Sequence, residues 1–327
     1  MTMINIFGII LTLCLLCFVI SRKAPRKILI DTDPGGDDAL ALMLALMYEA
    51  KTHDIEILAI AVSYGNAYLE NTSMNMLKIL TVADKKKLVY AGADKPLINK
   101  YEFDNFFGDD GFGDFNFTQE ITVKIDRSKH ASVAYVDLVK KYPGEITIIT
   151  LGPLTTIATA IALEPNFLNL TKQHIIMGAS LKTNKTEFNF KQDPESDWMA
   201  LNNVNKPSII VPTDAVYSHI FSQEEYISLI NNLDKPIGSF LEQANRKAIE
   251  KDNNMWAPAD GITMAIALQP EIITQYSEVN LKLVLVGDAR GSVVINSNSH
   301  IHNAKVVESF DKEAFTNIVL QYLSKLI

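Results

Sequence analysis

The stretch that most restricts what this chain can fold into is Lys27 to Tyr48, which reads KILIDTDPGGDDALALMLALMY. Ile28, Leu29 and Ile30 form a short apolar run, Pro34, Gly35 and Gly36 follow, and apolar residues then recur at helical spacing from Leu40 to Met47. A Pro-Gly-Gly turn neither extends a ladder nor starts a helix cheaply, so the strand ends near Asp33 and a tight turn leads into a helix. Asp37 and Asp38 fall in the first turn of that helix, where the positive end of the macrodipole favours carboxylates. Capping accounts for this pair but leaves Asp31 and Asp33 unexplained. Four carboxylates within eight residues raise one another's pKa unless a cation neutralises them. The local donors are all hard oxygens, with no His or Cys among them, which points to Ca²⁺ or Mg²⁺ rather than zinc. The plainer reading of the same residues is a solvated acidic turn with a capping role.

With 327 residues, 48% of them hydrophobic and 21% charged, the chain can bury a large core as one α/β domain. Its net charge of −8 and lack of a basic run argue against nucleic acid as a partner and favour a small ligand. Residues 1–23 differ in kind: Ile4 to Ile20 is almost continuously apolar and is followed by Ser21, Arg22 and Lys23. This reads as a targeting segment outside the fold. A cleaved signal peptide would make the protein secreted, and an uncleaved segment would anchor it to a membrane. Both cysteines, Cys14 and Cys17, lie inside it, so the domain of residues 24–327 has neither disulfides nor thiolate chemistry. N-x-Ser/Thr sequons stand at Asn71, Asn116, Asn169 and Asn184.

Further along, Ile55 to Val62 is a continuous apolar run suited to a strand covered on both faces. A helical pattern through Met74 to Val82 and a short strand at Leu88 to Tyr90 complete a βαβαβ order. That order predicts a mostly parallel open sheet with helices on both faces and a ligand site at the carboxyl ends of the strands, near Asp33 and Asn66. Tyr101 to Asp126 breaks the pattern and reads as an irregular loop, either packed on the surface or covering a substrate with its aromatics. Order then returns with a helix over Ala131 to Lys141, a strand over Glu145 to Thr150, and strands at His174 to Met177 and Ser208 to Val211. Helices follow at Gln223 to Asn232 and Ile237 to Lys251, then a helix after Thr263, a hairpin of Leu281 to Val286 with Ser292 to Ile295, and a last helix over Lys312 to Lys325.

The segment Asp31-Thr32-Asp33-Pro34-Gly35-Gly36-Asp37-Asp38-Ala39 resembles the signature of the inosine-uridine-preferring nucleoside hydrolase family, Ca²⁺-dependent N-ribohydrolases. The resemblance covers roughly Lys27 to the end of the chain. It implies that Asp33, Asp38, Asp260 and the backbone carbonyl of Leu151 bind Ca²⁺. By the same resemblance Asp37, Asn66, Glu187, Asn189 and, by its place in the loop, Asn184 contact the ribose. Asp33 would then act as general base on a metal-activated water, with an oxocarbenium-like state at C1′. Two departures stand out: the family commonly has His before the distant aspartate and often in the glycine-containing loop, where this chain has Ala259 and Phe107. Purine-preferring relatives activate the base by aromatic stacking, so the expectation is a purine-leaning hydrolase. Trp256 is the first stacking candidate, ahead of Phe106, Phe107, Trp198 and Tyr217. A homo-oligomer is possible, and a membrane is a partner only through an uncleaved leader.

Two other readings compete. Asp31-Thr32-Asp33 also resembles the D-x-D nucleophile motif of haloacid-dehalogenase-type phosphohydrolases, although that leaves Asp37 and Asp38 unaccounted for. Ala259 and Phe107 also suit a Ca²⁺-dependent nucleoside-binding protein without turnover. A P-loop is excluded, because no Gly-Lys-Ser/Thr follows the glycines.

Overall fold

The computed structural model describes residues 24–182 and 186–325. The apolar leader and the expected ribose contact Asn184, with its sequon, lie outside the described residues. Among those described, no helix is long and apolar enough to cross a membrane.

Eight strands form the central sheet. In chain order they are β1 (Arg26–Thr32), β2 (Ile55–Val62), β3 (Val89–Ala91), β4 (Ile146–Thr150), β5 (Gln173–Met177), β6 (Ser208–Val211), β7 (Ile273–Val279) and β10 (Ala304–Phe310), while β8 (Leu281–Leu283) and β9 (Val293–Ile295) make a separate hairpin. Their order across the sheet is β3-β2-β1-β4-β5-β6-β10-β7, with every neighbour parallel except the antiparallel pair β10–β7. The expected mostly parallel α/β sheet is therefore present, as a single domain. The chain runs outward from β1 to β3 on one side and from β4 onward on the other, so the strand order reverses between β1 and β4. In open α/β sheets ligands bind at such a point, outside the carboxyl ends.

Period-2 alternation divides the core. Ile28 and Ile30 of β1 pack with one buried cluster and Leu29 with the other. The first cluster is filled by α1 (Gly36–Thr52), α9 (Lys235–Lys251), α10 (Ala259–Leu268) and α11 (Lys312–Leu323), and the second by α3 (Ala131–Lys141) and α4 (Thr155–Leu163). The remaining helices are α2 (Leu69–Val82), α5 (Phe188–Gln192), α6 (Pro194–Leu201), α7 (Thr213–Tyr217) and α8 (Gln223–Asn231).

Sequence patterning finds most of these elements but not β7, β10 or the short helices α5, α6 and α7. β7, ITQYSEV, sits at the edge of the sheet with no fully buried residue, so it has no apolar run to betray it. The loop expected over 101–126 contains no helix or strand; part of it packs on the surface and part lines a cavity. Phe112, Phe115 and Phe117 pack on Phe240 of α9, while Phe106 and Phe107 face a cavity at the carboxyl ends of the strands. Of the described sequons, Asn116 and Asn169 are exposed.

Candidate functional site

β1 delivers Asp33 to the switch point, and the Pro-Gly-Gly turn reverses the chain into α1 so that Asp37 and Asp38 return beside it. Asp38 accepts hydrogen bonds from Gly35 N at 2.8 Å, from Asn66 Nδ2 at 3.1 Å and from the Thr32 hydroxyl. Its position is therefore set by the turn itself. Asp260 arrives from the opposite end of the sequence as the second residue of α10. One carboxylate oxygen each from Asp37, Asp38 and Asp260 can be chosen so that all lie within 4.8 Å of one another. Asp33 adjoins them: its Oδ2 accepts Asn66 N at 2.7 Å, and it is 1% exposed.

Two glycines make room for Asp33. A Cβ on Gly65 or on Gly152 would collide with its carboxylate oxygens. The chain after β2 and the chain after β4 therefore both press backbone against this one side chain, a requirement that the Tyr64-Gly65-Asn66 and Leu151-Gly152-Pro153 sequences carry without advertising it.

Burial raises the carboxyl pKa of Asp33, Asp37, Asp38 and Asp260, and charge repulsion within the group adds to it for Asp33, Asp37 and Asp260. None of the four forms an ion pair with a described Lys, Arg or His. Uncompensated acids with hard oxygen donors at this spacing fit a divalent cation. The group that comes together is Asp37, Asp38 and Asp260, so Asp37, expected at the sugar, also stands among the metal-site acids.

The cavity above this cluster has a volume of about 550 Å³. Asp33, Asp37, Asn66, Leu151, Glu187, Asn189, Trp256 and Asp260 all line it, whereas Asp38 lies beneath, fully buried. Glu187 caps the short helix α5 and accepts hydrogen bonds from Ala179 N, Asn189 N and Phe190 N. Burial pushes its carboxyl up to about 6 against the pull of those N–H groups. Asn189 is buried and donates from Nδ2 to the Leu151 carbonyl at 2.7 Å. This carbonyl, expected at the metal, thus ties the tip of β4 to the expected sugar side. Asn66 directs its carboxamide N–H groups onto Asp33 and Asp38.

Trp256 lines the cavity from within the core. It is 4% exposed, donates from Nε1 to Asn245 Oδ1 at 3.2 Å, and has the rings of Phe221 and Tyr226 against it at 5.4 and 4.9 Å. Asn245 in turn donates to the Gly36 carbonyl at 2.9 Å, linking α9 to the acidic turn. Ala259 and Phe107 stand on the cavity wall, and no described His, Lys or Arg lines it. His174 lies deep in the sheet against the Thr150 hydroxyl at 2.9 Å, and burial lowers its pKa to about 3. Asp31, the nucleophile of the phosphohydrolase reading, is fully buried outside the cavity, beside Tyr135 and Thr156. The cavity also takes Asp104, Thr213, Tyr217, Asn245 and Asp252, of which only Tyr217 carried a sequence signal, as an aromatic.

Comparison with known proteins agrees with this geometry. Residues 28–317 match the family model described as inosine-uridine preferring nucleoside hydrolase. The chain is 29% identical over 319 residues to the inosine-uridine preferring nucleoside hydrolase of Crithidia fasciculata, covering 92% of this chain and 98% of that protein. It is 35% identical over 185 residues to the Leishmania major protein of the same name, a match spanning 54% of this chain and 57% of the relative. Among solved structures, an inosine-guanosine nucleoside hydrolase superposes with a TM-score of 0.82 at 26% identity, covering 92% of this chain and all of that one, 100%. An acid cluster at the sheet's switch point, a buried Glu and Asn lining the same cavity and a match along nearly the whole fold have one common source: the chain belongs to the inosine-uridine preferring nucleoside hydrolase family.

Proposed function

We propose that the protein hydrolyses the N-glycosidic bond of ribonucleosides, with a lean towards purines, to free base and ribose. The observation that carries this reading is one shared cavity lining. Asp33, Asp37 and Asp260 line the same cavity as Glu187 and Asn189. Ca²⁺, held by Asp33, Asp38, Asp260 and the Leu151 carbonyl with Asp37 beside them, would acidify a water and fix the ribose 2′ and 3′ hydroxyls.

Asp33 reaches the cavity while its other contacts hold it still, and takes a proton from the attacking water as general base. Glu187 and Asn189 hold the sugar hydroxyls, and the surrounding carboxylates stabilise positive charge developing at C1′. The absence of a cavity histidine and the aromatic wall of Phe106, Phe107, Tyr217 and Trp256 support a purine as the leaving base. The leader, residues 1–23, would take the protein into the secretory pathway or tether it to a membrane, and sizing the mature N-terminus by mass spectrometry separates these.

The test is base release from inosine, adenosine, guanosine and uridine, with and without chelator, beside Asp33→Ala. Chelator-sensitive release that disappears in the variant is the expected result. Ala259 and Phe107 favour one second reading, a nucleoside-binding protein without turnover, and riboside binding with no release in any lane would establish it instead.

A further inference from the structure

α9 leads from Asn245, whose side chain bonds the Gly36 carbonyl at the acidic turn, to Asp252 about two helical turns further on, and no described cation lines the cavity between them. Asp104 and Asp252 line it, beside Phe106, Tyr217 and Met255. The two acids differ in freedom. Asp104 is exposed and already accepts the Phe106 N–H at 2.9 Å. Asp252 is half-buried, with no ion pair or side-chain hydrogen bond to any described residue.

The backbone of Asp252 is well held. It closes α9 with its N–H on Ala248 O at 2.9 Å and accepts Met255 N at 3.0 Å, while Asn253 and Asn254 turn the chain through φ of 54° and 62°. Tyr217 faces it from the end of α7. After burial, the charge that most raises this phenol is that of Asp252, ahead of Asp37 and Glu187. Asp252 thus stands about two helical turns along α9 from the acidic turn, on the wall that Tyr217 shares.

A carboxylate offers only acceptors, in a parallel pair. Among the common bases, only guanine presents two adjacent donors on one edge, N1–H and the 2-amino group. Hypoxanthine has N1–H alone, adenine sets an acceptor nitrogen beside its amine, and uracil flanks its N3–H with carbonyls. We propose that Asp252 reads the donor edge of a guanine base, which makes guanosine the preferred substrate over inosine. This rests on the nucleoside hydrolase reading and adds to it a specificity-determining residue.

The test compares kcat/KM for guanosine and inosine, which differ by one amino group, in the full chain, in Asp252→Asn and in Asp104→Asn. The wild-type protein should favour guanosine by about tenfold, the size of one charge-assisted hydrogen bond. Asp252→Asn should bring the ratio to within about twofold of one, because its amide donor clashes with N1–H or the amine, whereas Asp104→Asn should leave it. The ratio is internal to each variant, so a partly folded sample does not mimic the effect. A wild-type ratio of one or below, a ratio insensitive to Asp252, or a ratio that follows Asp104 overturns the assignment. Absence of release from every nucleoside would sink the hydrolase reading instead, and calorimetric Kd values for guanosine and inosine would then apply the same criteria to Asp252.

Discussion

Asn66 grips Asp33 from two sides, donating its backbone N–H to the Asp33 carboxylate at 2.7 Å and its side-chain Nδ2 to the Asp33 carbonyl at 3.0 Å. The same Nδ2 reaches Asp38 at 3.1 Å. One residue after β2 therefore orients two acids that belong to the end of β1 and the start of α1. In Asn66→Ala the backbone bond survives and both side-chain bonds go. The expected outcome is a 10- to 100-fold weaker affinity for Ca²⁺, roughly the size seen when outer partners of metal ligands are removed, with the fold retained. Calorimetric titration of the metal measures it, and unchanged affinity would show that the acids orient themselves.

Gly152 and Gly65 press on the same carboxylate. Gly152→Ala forces Asp33 aside while removing no functional group. A general base displaced by about 1 Å lowers kcat roughly 100-fold. Overpacking adds a stability loss of about 1–3 kcal/mol. Steady-state kinetics beside a thermal melt separate the two, and a variant with wild-type kcat would mean that Asp33 is not the base.

Metal removal should destabilise the folded protein, because Asp33, Asp37, Asp38 and Asp260 are then buried together with no counter-charge. Divalent cation at about 100 times its Kd stabilises a protein by about 2.7 kcal/mol. Chelator should lower Tm accordingly, and Asp260→Ala should abolish the shift. Equal Tm values in excess chelator and at saturating Ca²⁺ would exclude Ca²⁺ at this cluster.

Asp197 of α6 supplies a pH test away from the site. Both of its carboxylate oxygens are buried without a hydrogen-bond partner among the described residues, and burial, then the charges of Asp193, Glu187 and Glu195, push its pKa well above the ordinary value of 3.8. Its neighbour Asp193 is amply bonded, accepting from Leu97 N, Thr155 Oγ1 and Ser196 Oγ at 2.9, 2.7 and 2.6 Å. A raised folded pKa means that stability is fully present below the unfolded pKa and is lost as pH rises towards the folded one. Asp197→Asn removes that loss. The variant should gain about 1–3 kcal/mol on wild type at pH 8 relative to pH 4, read from urea midpoints. Parallel pH profiles for the two proteins would refute the assignment.

Much of the fold can be read from local pattern. β2, α3 and β6 occupy the residues that apolar runs and helical periodicity indicate, because those elements bury what they are made of. β7 and α5 escape such reading for opposite reasons. β7 is an edge strand, with nothing to alternate against. α5 is little more than one turn long and is capped by Glu187, so a Glu and an Asn two residues apart, which look like a solvated face, become a buried part of the cavity lining.

The sequence by itself determined the strand, the turn and the acidic helix start, because Pro34, Gly35 and Gly36 act on their own backbone and Asp37 and Asp38 on the adjacent dipole. Local chemistry also pointed to a cation for acids so close together, beside the plainer reading of a solvated capping turn. Family resemblance names the distant groups, and what only the tertiary structure decided is how they come together. Asp260, Leu151 and Asn189 reach Asp33 through the order β2-β1-β4-β5 and the packing of α10 on α1. The room for Asp33 between Gly65 and Gly152, and the place of Asp252 on the cavity wall, depend on chain segments that meet only after the sheet has formed. Spacing along a chain carries no information about such meetings, since strand order, not sequence distance, sets which loop tips are neighbours.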